Sequence, residues 1–316
     1  MPTTLITDMA AAVAGGGTVD IQPAAGVEYL ITDIGSDVAF VAAVPDVQVA
    51  IRDGVLADAI LWIDPTTTPN KRAQRQLRLY VTNTNYCRLT NTAAGAANVS
   101  YFGEQVRAGL TRSDLVTIGV GATVEIQPPA GEVWHITEIA NSVWSAIYPD
   151  INLLVTDGTL VASIILDATM VRGQEKPLDL YIDNTTYLAV TDIGGAGCVF
   201  GYSGRLVPVE CISSVQDVAG SATLDIIPTA NQEWVITEIS AETWAGVAPN
   251  GYPDITVSLM VGANLSDVLE AGAGASLGWN KELKLHIDTT HYLRITEIST
   301  ANNEVGVLGY LKRSWS

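Results

Sequence analysis

The sequence predicts an all-β protein made of three tandem antiparallel β-sandwich domains of the jelly-roll type. The first observation is an internal repeat: Thr123–Ile139 recurs as Thr18–Ile34 with 10 of 17 positions identical, and as Thr223–Ile239 with 9 of 17. The copies begin 105 and 100 residues apart, which is the size of a small domain. The second observation is a succession of short apolar or alternating runs between turn residues, with no amphipathic helix longer than two turns.

The repeat divides the 316 residues into three parts, each long enough to bury its own core. The linkers between them hold no long Gly/Ser or Pro tract, so we expect the domains to sit close together. A pseudo-threefold arrangement is one way to pack three such units. The predicted domains are residues 1–107, 108–208 and 209–316.

In the first copy, apolar runs bounded by glycine, proline or aspartate predict the early strands and their turns. Asp53-Gly54 has the composition of a tight hairpin turn. The polar segment Asp64–Gln76 is expected to be a mobile loop, and Val38–Val44 is a continuous apolar run. The predicted strands are Leu5–Met9, Val19–Ile21, Val27–Ile34, Val47–Ile51 and Leu56–Ile63.

The clearest strand signal is a period-2 alternation that recurs in all three copies. Leu77, Leu79 and Val81 alternate with polar or aromatic neighbours, so one face is expected to meet the core and the other to point outward. After a polar turn, the next strand is predicted to begin at a tyrosine in each copy. These tyrosines are Tyr86, Tyr187 and Tyr292, and the closing strands are predicted at Val99–Val106, Cys198–Val207 and Val305–Leu311.

Composition limits the partners of the chain. With 34 acidic and 16 basic residues, the net charge is −18 and the isoelectric point is near 4.3, so we expect neither nucleic acid nor an anionic membrane as a partner. Cys87, Cys198 and Cys211 do not recur with the repeat, which argues against a disulfide framework or a structural zinc site. Without a recognisable signal peptide or membrane span, the chain is expected to be made in a cytoplasm.

No catalytic constellation recurs. His135 stands where the other copies have Leu30 and Val235, which favours a packed histidine over a ligand. His286 is expected on the outward face of the alternating strand and His291 in a turn. No serine-nucleophile elbow or phosphate-binding glycine loop is present. We therefore expect a protein that is not an enzyme and has no cofactor.

Carboxylates recur at three positions. Two of these sets are expected on solvated strand faces, while the third follows proline and is expected to cap a turn. A calcium ion could bind if neighbouring strands brought these oxygens together, and the third set is the candidate, although no metal site is the expected outcome. The sets are Asp20, Glu125 and Asp225; Asp33, Glu138 and Glu238; and Asp46, Asp150 and Asp254.

Large aromatic residues recur at two positions in the copies. We expect them to fill the space between the sheets, while the alternative is an exposed row that stacks on sugar rings. The sets are Tyr29, Trp134 and Trp234, and Phe40, Trp144 and Trp244.

The motifs in Pro129–Ile139, Asp157–Thr159 and Leu178–Leu188 resemble those of small β-sandwich proteins among the structural proteins of tailed bacteriophages, of the jelly-roll decoration or capsid-cement type. The resemblance implies a virion protein on the outer capsid surface that contacts the major capsid protein and neighbouring decoration subunits. An alternative is a host-recognition or carbohydrate-binding module of a tail or head fibre. The third copy departs most, since Asn231 replaces the motif glycine and its Asp-Gly turn is lost.

Overall fold

The computed structural model describes residues 4–38, 47–63, 73–92, 95–142, 151–165, 178–193, 197–242, 255–271, 279–297 and 303–314. Within these ranges every regular element is a β-strand, with eight strands in each sequence repeat. None of the described segments forms a helix that is long and apolar enough to cross a membrane. The all-β prediction is confirmed.

The strands of the first repeat are β1 Thr4–Val13, β2 Thr18–Ile21, β3 Glu28–Val38, β4 Val47–Arg52, β5 Ala59–Ile63, β6 Ala73–Val81, β7 Tyr86–Asn91 and β8 Ala97–Val106. Those of the second are β9 Asp114–Ile118, β10 Thr123–Ile126, β11 Trp134–Asn141, β12 Ile151–Thr156, β13 Val161–Ile165, β14 Leu180–Ile182, β15 Tyr187–Asp192 and β16 Cys198–Leu206. Those of the third are β17 Ser214–Val218, β18 Thr223–Ile226, β19 Gln232–Glu242, β20 Ile255–Val261, β21 Asn264–Ala271, β22 Trp279–Ile287, β23 His291–Glu297 and β24 Asn303–Ser314.

Each repeat pairs its strands in the same order. One sheet is β1-β8-β3-β6 in the first repeat, β9-β16-β11-β14 in the second and β17-β24-β19-β22 in the third. The other sheet is β2-β7-β4-β5, β10-β15-β12-β13 and β18-β23-β20-β21. The pairs are antiparallel, and this is the strand order of a jelly roll. The division into domains at residues 107 and 208 remains a prediction.

The apolar positions of the repeated motif form the cores. Ile31, Ile136 and Ile236 are each 0 % exposed. In the first repeat, Val49 on β4 and Leu79 on β6 belong to the same buried cluster, so the two sheets face each other across one core. Burying each such side chain stabilises the fold by roughly 1.5–3 kcal/mol.

Turn chemistry follows the sequence closely. Gly54 has a φ of +82°, and the Asp53 carboxylate accepts hydrogen bonds from the backbone N–H groups of Val55 and Leu56. Asn231 has a φ of +66°, close to the values of Gly26 and Gly131 at the same motif position. Asparagine tolerates this left-handed conformation better than most residues, so the third repeat keeps the turn without the glycine.

Several predicted boundaries change. Strand β6 begins at Ala73, so the last part of the predicted loop Asp64–Gln76 is strand. Residues 64–72 lie outside the described residues. Strands β7 and β15 begin at the predicted tyrosines, whereas β23 begins one residue earlier, at His291. The run Val38–Val44 lies outside the described residues beyond Val38.

Candidate functional site: the junctions between repeats

A β-bulge recurs in the T-[DE] dipeptide of the repeated motif. The strand register shifts between Ile31 and Asp33, between Ile136 and Glu138, and between Ile236 and Glu238. A bulge turns extra side chains away from the strand's own ladder. Here it places a threonine and a carboxylate of each repeat on the outer surface of the sheet.

A glycine opposite each bulge keeps the strands in register. A Cβ added to Gly103, Gly204 or Gly309 would clash with the backbone carbonyl of Leu30, His135 or Val235, respectively. For Gly204, the added atom would also lie 2.9 Å from the Ile136 Cα. Only glycine allows the two backbones to approach this closely.

The outer surface of repeat 2 covers the open edge of β6. The Glu138 carboxylate accepts a hydrogen bond from the Arg78 backbone N–H at 2.7 Å, and the Thr137 hydroxyl donates to the Arg78 carbonyl at 2.6 Å. Ser203 Oγ accepts from the Tyr80 N–H at 2.7 Å and is 3.0 Å from the Tyr80 carbonyl. These side chains satisfy the edge strand in place of a neighbouring strand.

A serine at the start of the next repeat completes each junction. The Ser113 hydroxyl donates to the Tyr80 carbonyl at 2.8 Å, and the Ser213 hydroxyl donates to the Tyr181 carbonyl at 2.6 Å. The serine carbonyls are bound as well, by Asn85 Nδ2 at 2.7 Å and by Thr186 Oγ1 at 3.0 Å, respectively. The edge strands β6 and β14 are therefore capped in the same way.

Apolar packing crosses both junctions. Leu115, Ala140 and Val199 of repeat 2 belong to the core cluster of repeat 1. Val215 and Leu308 of repeat 3 belong to the core cluster of repeat 2. Backbone strand pairing also crosses the first junction at one point, where Ile60 of β5 pairs with Asn141 of β11. Consecutive repeats are thus packed together, as expected for linkers without a long Gly/Ser or Pro tract.

The linker between repeats 1 and 2 is held in place by a carboxylate. Glu28 accepts hydrogen bonds from the backbone N–H of Gly109 at 2.6 Å and of Thr111 at 2.9 Å. The next residue, Arg112, forms an ion pair with Glu132 at 3.2 Å. These contacts fix the chain where it passes from one repeat to the next.

His135 forms a buried pair with Asp179 next to the first junction. Its Nε2 bonds to an Asp179 carboxylate oxygen, and Arg78 of repeat 1 approaches the same oxygen at 3.6 Å. Burial lowers the pKa of His135 below its ordinary value. Burial would raise the pKa of Asp179, but the hydrogen bond from His135 and nearby positive charges lower it. The pair is therefore a neutral imidazole that donates to a carboxylate.

Aromatic rings continue this cluster toward the third repeat. The His135 ring stacks on Tyr181 with centroids 4.3 Å apart, and Tyr181 meets Tyr310 of repeat 3 at 4.5 Å. Burial raises the pKa of the Tyr181 hydroxyl well above its usual range. At the equivalent place in the first junction, the Arg205 guanidinium lies 5.9 Å from the centre of the Tyr80 ring.

The predicted solvated carboxylates fall into two groups. Asp20, Glu125 and Asp225 are exposed, as predicted. The prediction is wrong for Glu138 and Glu238, which are 2 % and 1 % exposed. The bulge places them on the outer face of the sheet, but the preceding repeat covers that face.

The same cause corrects the expected outward face of the alternating strand. Tyr80 and Tyr181 are only 4 % and 8 % exposed, because the following repeat covers them. His286, at the equivalent position of repeat 3, has 51 % of its side chain exposed, as predicted. His135 is packed, also as predicted.

The calcium candidates Asp46, Asp150 and Asp254 lie outside the described residues, and so do Phe40, Trp144 and Trp244. In the part of the chain that the structure describes, no group of three or more histidines, cysteines or carboxylates could hold a metal ion. An open depression of about 420 Å³ lies beside Ile118, Ser142 and Cys198, and no carboxylate or imidazole is among its described lining residues.

The first aromatic set packs against the cores. Tyr29, Trp134 and Trp234 are partly buried, each against the core cluster of its own repeat. Trp134 Nε1 donates to Glu132 at 2.7 Å, and Trp234 Nε1 donates to Gln232 at 2.9 Å. This arrangement agrees with the packing interpretation.

The junction serines were not predicted from the sequence. Ser113 and Ser213 lie 100 residues apart, which is the spacing of the repeat itself, so a search for recurring polar residues outside the 17-residue motif would have found them. Ser203 carries no such signal, because Leu308 stands at its equivalent position, opposite the bulge carboxylate of the third repeat.

No family model matches the chain, and no curated protein matches it.

Proposed function

We propose that the chain is a non-enzymatic virion structural protein that decorates and stabilises the capsid of a tailed phage, acting as a single-chain counterpart of a trimer. The observation that supports this proposal best is the repeated junction, in which one repeat caps the edge strand of the preceding one through Ser113 and Ser213. Such junctions hold three sandwiches in a defined order along one polypeptide.

Covalent fusion gives a decoration protein a physical advantage. Three separate subunits lose translational freedom when they assemble, whereas fused repeats are presented to one another at high effective concentration. Loops at one end of the sandwiches can then contact the shell at several points, and individually weak contacts add up. A closed ring is not required for this effect.

The expected partner is the major capsid protein, together with neighbouring decoration subunits. A net charge of −18 favours a surface with basic side chains over one rich in phosphate. The resemblance in Pro129–Ile139 and Leu178–Leu188 is the reason for placing this partner in a phage capsid, because fold alone does not determine function.

Glycan binding by a fibre module is the alternative. It needs aromatic faces that are open to a sugar ring, and the first aromatic set is instead packed on the cores with the Trp134 and Trp234 indole N–H groups already bonded. The packing of the first aromatic set therefore favours the structural role.

The test compares phage particles with and without this protein. We expect decorated particles to withstand higher temperature or lower salt before releasing DNA, and imaging should place the protein on the outer shell. Equal resistance of the two particles, with no density on the shell, would refute cementing. A glycan array on the same purified chain serves as the parallel test, and a reproducible signal there would favour the fibre module.

A further inference from the structure

The two ends of the array carry the two halves of a junction that the chain does not complete. We call the outer surface of β1, β8 and β3 in repeat 1, with Thr7, Asp33, Phe102 and Glu104, the rear face. We call the outer edge of β22, with Lys284 and His286, the front edge. In the interior of the chain, surfaces equivalent to both are covered by a neighbouring repeat.

The rear face is exposed at positions that are buried in the other repeats. Phe102, Ser203 and Leu308 are equivalent, since each is the backbone register partner of the acidic residue in its bulge. Ser203 and Leu308 are 0 % exposed, whereas Phe102 is 51 % exposed. Leu5, which pairs with Glu104 beside this face, is 76 % exposed.

The front edge is exposed in the same sense. His286 is equivalent to the buried Tyr80 and Tyr181, and half of its side chain is accessible. Its Nδ1 contacts Glu233 at 2.9 Å and Lys312 at 3.0 Å, both in its own repeat. On β21, the edge strand of the other sheet of repeat 3, Leu265 is 59 % exposed.

We propose that the front edge of one copy docks on the rear face of a second copy of this chain and forms a third junction of the same kind. A second copy is the expected partner because another repeat of this sequence covers the equivalent surfaces at both interior junctions. A second copy can cover both surfaces, because both are exposed in the chain itself.

The equivalent residues are chemically complementary across this third junction. Thr7 occupies the register position of Ser113 and is exposed, so its hydroxyl can donate to the His286 carbonyl as Ser113 does to Tyr80. Glu104 corresponds to Arg205 and would face the His286 ring, as Arg205 faces Tyr80. Asp33 corresponds to Glu138 and can accept the Lys284 backbone N–H, as Glu138 accepts that of Arg78.

One contact opposes docking. Arg78 approaches Asp179 at the first junction, and by the same equivalence Lys284 would approach Arg78 of the second copy. Two cations near the surface repel weakly in water.

Because the contact joins two different surfaces, it is heterologous and generates a closed ring or an open filament of chains.

The first experiment measures self-association of the purified full chain by analytical ultracentrifugation. We expect masses above one chain that grow with concentration, and Phe102→Glu should weaken association about tenfold or more. The matched control is Val120→Glu, which changes a valine that is 63 % exposed and belongs to neither surface. A single-chain mass at every concentration would overturn the proposal, as would equal weakening by both variants.

The second experiment identifies the surfaces. Chains carrying Glu104→Cys and chains carrying His286→Cys, both with Cys211→Ser, are mixed with a short bis-maleimide. We expect a two-chain product in the mixture and little from either chain alone at the same concentration. No product in the mixture, or a chain carrying both cysteines that crosslinks only within itself, would overturn docking of a second copy.

This inference goes beyond the proposed function, because both experiments use the purified chain alone. Failure of the cementing test on particles would not change the result of either experiment, and a monomeric chain could still bind a capsid. The two proposals can therefore fail separately.

Discussion

At the junction between repeats 1 and 2 the outer surface of the covering repeat presents His135, Ser203 and Arg205. At the junction between repeats 2 and 3 the same strand positions hold Val235, Leu308 and Tyr310. At these three positions the first junction is therefore polar, while the second is apolar and aromatic. Both use the same bulge, the same glycine and the same capping serine.

This comparison shows how a repeated fold can specify the order of its copies. Backbone geometry sets where two repeats meet, and that geometry is shared. The side chains differ, so the edge strand of repeat 1 meets polar side chains at positions where the edge strand of repeat 2 meets apolar or aromatic ones. Unsatisfied polar groups are the main cost of a wrong pairing, since a buried donor without an acceptor loses about 1–3 kcal/mol.

The largest effect is expected from Gly204→Ala, which disturbs the close approach of the two strands at the bulge, a feature that both junctions share. The added Cβ clashes with the His135 carbonyl and lies 2.9 Å from the Ile136 Cα, so backbone must move. We expect a loss of roughly 4 kcal/mol in the free energy of unfolding, measured by urea denaturation. Gly119→Ala is the control, because its nearest contact would be at an ordinary 3.9 Å. Similar losses in both variants would contradict the close-approach argument.

Leu308→Ala tests the apolar junction. Leu308 is 0 % exposed and packs into the core cluster of repeat 2, so truncation leaves a cavity between two repeats. We expect a loss of about 3 kcal/mol, with faster amide hydrogen exchange in both repeats. Leu265→Ala, at a leucine that is 59 % exposed, is the control and should change stability little. Faster exchange confined to repeat 3 would show that the side chain does not support the junction.

Ser203→Ala tests the polar junction and should have a smaller effect. The Tyr80 N–H loses its acceptor at 2.7 Å, and we expect a cost of about 1–2 kcal/mol. Hydrogen exchange at the Tyr80 amide should become faster while the rest of β6 changes less. Ser100→Ala is the matched control, since the Ser100 hydroxyl bonds within its own repeat. Unchanged exchange at Tyr80 would mean that another group caps this edge.

The smallest effect concerns pH and separates the two junctions again, because Val235 replaces His135 at the second. Burial lowers the pKa of His135, so the unfolded chain takes up a proton first as pH falls below about 6.5. Stability is therefore expected to fall from pH 7 toward pH 5. The lowered pKa of Asp179 adds a further loss in stronger acid.

His135→Val should remove part of the pH dependence between pH 7 and pH 5, while lowering stability at pH 7 because Asp179 loses a partner. Urea midpoints at the two pH values measure this difference. His291→Gln, which removes a histidine outside the cluster, is the control. A wild-type pH dependence in His135→Val would contradict the assignment of the neutral imidazole.

Much of the fold could be predicted from local chemistry. The alternation of Leu77, Leu79 and Val81 placed a strand and its core face correctly, and Asp53-Gly54 is the turn that its composition predicts. The candidate site was largely missed. Glu138 and Glu238 were expected in solvent and are buried, while Ser113, Ser203 and Ser213 were not singled out.

The sequence by itself determined the three copies, the strands, their turns and the side of each strand that meets its own core. These properties depend on neighbours along the chain and on a period of two residues. The tertiary structure alone decided which outer faces are covered, because alternation cannot tell whether the side facing away from one core meets water or another repeat. That decision made Tyr80 and Tyr181 buried residues and left Phe102 and His286 at the surface.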